Sequence, residues 1–395
     1  MPNTRKPPAW ISKIGDTLLL ITSNVGTVVL LLVVGHFLLA GLWELKQQTV
    51  GIKRYDPRLL YEMYDGFPDK MAFAREYIEA RKMSLQPHVM WLTNPYKGKY
   101  IQIDENGIRR TIKHPRPDAR KVFVLGGSTL WGEGSPDKDT IPSQLQARLG
   151  DGYDVTNMGQ TAWTSVQELN YLLGRLSAGD IPDIVIFYDG VNDGFTTLYS
   201  PAKPRSIHNI EKVLGFHTAP TSWGTILTDV YNQSGYKVLE KVLKTNSTGG
   251  ESNTSQWDEK VAPKIDENVT TTLDEYDQLI RQVQALSKVY GFKTYFFWQP
   301  YLFSDHREPV GDEKIPYGEA SATWIDAEKK LYTAARQRFS RREKEQVYFI
   351  GDVLDEAGPV YIDWCHISPK ANGLVADAMF SRIVRTLGSP PSAAK

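Results

Sequence analysis

A single cysteine, Cys365, stands among the 395 residues, so no disulfide can form within the chain and no cysteine-rich metal site can be built. The seven histidines are scattered, with no HExxH and no Cys/His cluster, which leaves structural or catalytic zinc without support. Net charge is also lacking, because 46 basic residues balance 46 acidic ones and no long basic run occurs. Nucleic-acid surfaces need clustered Lys and Arg, so that class of partner is excluded. No repeat at solenoid spacing is visible. What remains is an ordinary globular composition, rich in Trp and Tyr, with one long apolar run.

That run is residues 17–43, which contain no Asp, Glu, Lys or Arg. Its length suffices to cross a hydrocarbon core of roughly 30 Å, and it exceeds the signal-peptide core of about 7–15 residues. Trp10 and Trp43 flank it. The expectation is an N-terminal tail over 1–16 and a single transmembrane anchor over 17–43. Arg5, Lys6 and Lys13 precede the run, and Lys46, Lys53, Arg54 and Arg58 follow it, so the positive-inside count is nearly even. A short tail, one span and a large folded domain lead to the expectation of a membrane protein with its domain outside the cytoplasm. Sequons at Asn232, Asn246, Asn253 and Asn268 matter only in a eukaryotic secretory pathway.

Residues 44–118 read as a polar, aromatic-rich stalk or lead-in, with Tyr55, Tyr61 and Tyr64 on a short helical piece and a turn at Asn106-Gly107. From 119 to 395 strand and helix patterns alternate. Strands are expected near 121–126, 153–157, 183–188, 293–298 and 346–350, and helices near 140–149, 163–176, 267–290, 320–341 and 369–386. That alternation implies a parallel sheet covered on both faces. Residues 200–262 interrupt it with Pro201, Pro204, Pro220 and a polar run, and read as an insertion, part lid and part loop.

Four segments fall at strand ends or in the last loop: GGST (126–129), NMGQ (157–160), DGVND (189–193) and DWCH (363–366). Acyl transfer needs a nucleophile, a base, a group orienting the base, and oxyanion donors. Ser128 suits the first role, His366 the second, with an unperturbed pKa of about 6.5, and Asp363 the third. The expected oxyanion hole is the N–H of Ser128, the N–H of Gly159 and the amide of Asn192. Gly126 and Gly127 would let the backbone turn after the strand, and Gly159 would let substrate approach the backbone. Asp363 could equally cap the last helix, although Ser368 before Pro369 is the better cap. Asp189 and Asp193 read as braces of the Asn192 turn, and Asp183 lies at the wrong end of its strand. Trp131, Trp163 and Trp298 fit either a cleft wall or the core.

In order, the four blocks resemble the signatures of the SGNH, or GDSL-like, hydrolases, with GGS in place of GDS, over roughly residues 119–388. The GGS variant and the NGIR turn look like those of membrane-anchored bacterial members. The resemblance implies a flavodoxin-like three-layer α/β/α domain after the transmembrane helix, and ester hydrolysis with no metal and no cofactor. It makes Ser128, Gly159, Asn192 and His366 the named residues of the family, with Asp363 as the aspartate of its DxxH pair. The expected substrate is an acylated carbohydrate or lipid, foremost O-acetyl groups on a cell-envelope or exported polysaccharide, with polysaccharide-biosynthesis proteins as partners. An O-acyltransferase or a lysophospholipase could use the same serine. A non-catalytic glycan-binding module of a polysaccharide assembly is the alternative from another class.

Overall fold

The computed structural model describes residues 9–49, 55–199, 207, 262–303 and 308–387. Helix α1 (Ala9–Thr49) carries the apolar run, and its stretch Thr17–Leu38 is long and apolar enough to cross a membrane, by length and composition. Thr17, Thr22 and Thr27 turn their hydroxyls back onto the carbonyls of Lys13, Leu18 and Ser23 at 2.8–2.9 Å. Every side-chain donor in those three residues is thereby satisfied within the helix, as an apolar surrounding demands.

The larger compact unit begins at residue 54, ahead of the boundary at 119 read from the sequence. Its opening elements are helix α2 (Lys70–Ala80), the hairpin of β1 (Met83–Gln86) and β2 (Met90–Thr93), and the short pair β3 (Tyr96–Lys97) and β4 (Gln102–Ile103). Residues 55–118 are thus packed structure, and the stalk expected over 44–118 is not what they form. Leu59, Tyr64, Phe73, Tyr77 and Ile101 bury against Trp131 and Ile362 in a core of their own.

The central sheet follows. Strand β5 (Arg120–Gly126) leads to a single helical turn α3 (Ser128–Trp131) and then α4 (Ile141–Leu149). After these come β6 (Tyr153–Asn157), α5 (Ser165–Ser177), β7 (Ile184–Asp189), α6 (Val191–Tyr199), α7 (Ile265–Tyr290) and β8 (Lys293–Trp298). Helices α8 (Lys314–Glu319) and α9 (Ala322–Phe339), β9 (Val347–Phe349) and α10 (Pro369–Leu387) complete it. The strands are parallel in the order β6-β5-β7-β8-β9. Counted from the first strand of this sheet, that is 2-1-3-4-5, the flavodoxin-like order, whose ligand crevice opens where the order reverses between the first and third strands. Val122, Val124 and Leu125 of β5 and Ile184–Tyr188 of β7 are wholly buried, as unbroken apolar runs in a sheet covered on both faces should be. Helices α4 and α10 pack together, while α7 packs against α5 and α9.

The insertion expected at 200–262 lies outside the described residues, apart from 207 and 262. Of the sequons, Asn268 is buried at the start of α7, out of reach of any glycan, and the other three also lie outside the described residues.

Candidate active site

Ser128 opens α3 directly beyond β5, at the reversal point of the sheet. Its Oγ lies 2.6 Å from Nε2 of His366, whose Nδ1 lies 2.7 Å from Asp363 Oδ2. The structure therefore brings Ser128 to a histidine 238 positions away, whose partner Asp363 lies three residues before it. Asp363 is tightly held: its Oδ1 accepts the backbone N–H groups of Cys365 and His366 at 3.0 and 2.8 Å. It does not cap α10. Ser368, just before Pro369, takes that place and accepts from the N–H of Ala371.

Of the expected oxyanion donors, the Ser128 N–H belongs to the first turn of α3, where no intrahelical acceptor exists. Asn192 sits in the first turn of α6, and its Nδ2 donates to the Trp163 carbonyl at 2.7 Å. That bond fixes the amide while leaving its second N–H for a ligand. Gly159 differs from expectation, because its N–H donates to Asn157 Oδ1 at 3.0 Å within its own turn. The reason for glycine there also differs. A Cβ at 159 would come within 2.5 Å of the Trp131 N, so the missing side chain admits the backbone of α3 rather than substrate. Gly127, with φ of −77°, is not a left-handed turn residue; a Cβ there would strike Asn192 Nδ2 at 2.3 Å.

Asp193 accepts from the hydroxyl of Ser165 at 2.6 Å and Asp189 from Tyr276 at 3.0 Å, so both brace the region of Asn192. Burial raises Asp193 to about 6, against the hydrogen bonds from Ser165. Asp183 binds the Lys121 N–H at the opposite end of the sheet. Trp131, Trp163 and Trp298 are core residues, no more than 1 % exposed. The partly exposed aromatics beside the site are others: Phe195 stacks on Trp364 with centroids 6.2 Å apart, and Trp364 meets Trp324 edge-on at 4.6 Å.

Two charged residues at the site escaped the sequence reading. Arg58 donates to Asp56, to Glu133 at 2.8 Å and to Asp363. Glu133, 4 % exposed, places Oε2 3.3 Å from His366 Nε2. Glu133 follows the nucleophile block closely enough that WGEG was a usable signal; Arg58 gave none. Burial disfavours the Glu133 charge, but His366, Arg58 and Arg81 outweigh it and hold the carboxyl at about 2. Asp363 is likewise held well below the usual carboxylate range, with burial overcome by His366 and Arg58. Burial would lower His366, yet Asp363, Cys365 and Glu133 raise it well above its ordinary value. The neutral imidazole expected at pH 7 is thus displaced toward imidazolium.

Among the described residues, one group places three potential ligand atoms close together: Asp363, Cys365 and His366. It fits a metal poorly. Both Asp363 oxygens already accept from His366, Cys365 or Arg58, and burial pushes the Cys365 thiol up to about 11, so it stays protonated. A cavity of about 720 Å³ lies between the β1–β2 hairpin and α5, lined by His88, Val89, Leu92, Tyr171 and Arg175, and none of the site residues reaches it.

No protein-family model matches the chain. It is similar to an acetylxylan esterase of Xylanibacter ruminicola, with 34 % identity over 91 residues that cover 21 % of this chain and 19 % of that protein. The chain therefore spans about a fifth of that curated relative. Among solved structures, a carbohydrate acetylesterase from Sinorhizobium meliloti aligns at 17 % identity over 68 % of this chain and 99 % of its own, with a TM-score of 0.36. An acetyl xylan esterase aligns at 14 % identity over 67 % and 99 %, with a TM-score of 0.31. Within this chain, Ser128 meets His366 beyond β5, and the Asn192 amide lies against Gly127, the residue before Ser128.

Proposed function

We propose that the protein is a serine-dependent ester hydrolase of the SGNH type that removes acetyl or other short acyl groups from a carbohydrate. The observation that carries this reading is the chain of hydrogen-bond distances from Ser128 Oγ through His366 to Asp363 at the crevice of the sheet. Ser128 Oγ bonds to the ester carbonyl carbon as its proton passes to His366 Nε2, and the carbonyl π pair moves onto oxygen. Collapse breaks the bond to the leaving oxygen, which takes the proton from Nε2. Water repeats the sequence on the acyl-serine and frees the acid. The negative oxygen is received by the Ser128 N–H and the second N–H of Asn192, joined by Gly159 once its N–H leaves Asn157.

A carbohydrate ester is favoured by the short local similarity to an acetylxylan esterase and by the partly exposed Phe195 and Trp364 next to Asp363 and His366. Aromatic faces stack on the apolar faces of sugar rings. Helix α1 is read as a membrane anchor, with the catalytic unit outside the cytoplasm and the glycan of a cell envelope or exported polysaccharide as substrate.

The test is fluorophosphonate labelling of the full chain, mapped by mass spectrometry, with hydrolysis of p-nitrophenyl acetate and of an acetylated glycan. Label on Ser128 and acetate release that vanish together in Ser128→Ala are expected. Full activity in Ser128→Ala would refute the reading. Transfer of acetyl to an added glycan in preference to water would make the protein an O-acyltransferase on the same serine.

A further inference from the structure

His366 has a carboxylate at each ring nitrogen. Asp363 faces Nδ1 at 2.7 Å, and Glu133 faces Nε2, the nitrogen shared with Ser128, at 3.3 Å. One guanidinium, Arg58, pairs with both acids. We propose that Glu133 is a second positioning carboxylate for His366, acting at Nε2 and stabilising the imidazolium that forms when Ser128 gives up its proton. The proposal rests on the serine–histidine reading above and extends it to a residue outside the four blocks.

The chemistry lies in which state gains the bond. When the ring is neutral and Nδ1–H points to Asp363, Nε2 offers a lone pair, and the Glu133 carboxylate has nothing to accept from the ring. Once the Ser128 proton reaches Nε2, the new N–H lies between Ser128 Oγ and Glu133 Oε2 and gains a charge-assisted acceptor. Glu133 therefore favours the charged ring over the neutral one, which is what an electrostatic contribution to the transition state requires. Arg58 keeps both acids ionised and limits how strongly they hold the proton. The other groups facing this cluster are Asp56, Tyr61, Tyr64, Tyr77 and Arg81 from the 55–81 segment and Cys365 from the last loop. The direction of the His366 displacement agrees with the geometry. A consequence follows for the resting enzyme: the base is available only above the raised His366 value, so the acid limb of the activity profile lies on the alkaline side of an ordinary histidine.

The experiment is the pH dependence of kcat/KM on p-nitrophenyl acetate for the full chain and for Glu133→Gln, Glu133→Asp and Ser128→Ala. Glu133→Gln should move the acid limb down by about one pH unit or more, so that activity low on the wild-type limb, as a fraction of each protein's own plateau, rises about tenfold. Its plateau should fall, because the imidazolium loses an acceptor. Glu133→Asp keeps the charge and should keep the limb near the wild-type position. A lowered plateau with an unmoved limb would mean that Glu133 only braces the loop, and the proposal would fail. Should Glu133→Gln not fold, nitrogen NMR of the wild-type ring decides: His366 titrating at or below the ordinary histidine value overturns the proposal. If Ser128→Ala stays active, the serine reading itself is wrong; if it is inactive and the Glu133→Gln limb is unmoved, only the role of Glu133 is lost.

Discussion

Arg58 and Asp363, 305 positions apart in the chain, form a direct ion pair, and the same guanidinium reaches Glu133. The segment before the sheet is therefore part of the candidate site. Its first turn supplies the cation that lets two buried carboxylates stand on either side of one imidazole.

Replacing Arg58 by Gln should strand those carboxylates. Removing one partner of a buried pair costs roughly 3–5 kcal/mol, and less here because the Arg58 side chain keeps 22 % exposure. The positive charge also opposes the pull of both acids on the His366 proton. Its loss should move the acid limb of kcat/KM to higher pH, opposite to Glu133→Gln, with Arg58→Lys falling between. Thermal melting and pH–rate profiles measure the two effects, and a limb that moves downward would contradict the network.

Gly127 and Asn192 form a second coupled pair. Asn192→Ala should lower kcat by about 10²–10³, the usual cost of one oxyanion donor. Gly127→Ala should approach the same loss with Asn192 still present, because the new Cβ would displace the amide from 2.3 Å away. The double variant should lose little more than either single one. Additive losses would show that Gly127 and Asn192 act separately.

Arg109, from the turn at Asn106-Gly107, is wholly buried. It pairs with Asp137 at 3.0 Å, donates to the carbonyls of Trp131 and Gly132 at 3.0 and 2.8 Å, and reaches Ser135. It thereby fixes the loop that runs from Ser128 to Glu133. Arg109→Met should destabilise the protein by about 3–5 kcal/mol through the orphaned Asp137 and carbonyls. It should also slow fluorophosphonate labelling of Ser128, measured below the melting temperature. Normal labelling with lowered stability would separate the loop from the site.

Glu328 carries the stability prediction. Burial raises this carboxyl to about 8, with the hydrogen bond from the Trp324 indole acting the other way. In the unfolded chain it ionises in the ordinary carboxylate range, so the folded state holds the extra proton. Stability is therefore highest at low pH with respect to this group and falls until pH reaches about 8. Glu328→Gln removes that loss, so its melting temperature should gain on the wild type between pH 5 and pH 8. A difference that stays constant over that range would show that Glu328 ionises freely.

The five central strands and the helices at 140–149, 163–176, 267–290, 320–341 and 369–386 were legible to within a few residues. Their apolar periods are set by burial on one or both faces, which is a local signal. Helix α6 was not, because DGVND reads as a turn, whereas Val191, Asn192 and Asp193 open a helix that packs against α7 and α9. Gly159 was legible as a required glycine, but the reason for it was not, since the backbone of α3 that crowds it comes from another segment.

The sequence by itself determined the alternation of strand and helix, the apolar run of α1, and the four short blocks that end near Ser128, Gly159, Asn192 and His366, because these depend on local period and turn chemistry. Only the tertiary structure decided that Arg58 and Glu133 join them, that Trp364 and Phe195 rather than Trp131 or Trp298 stand partly open beside the site, and that His366 is held toward its charged form. Those outcomes depend on distances between segments far apart in the chain, and on burial, which sets the strength of every charge it encloses.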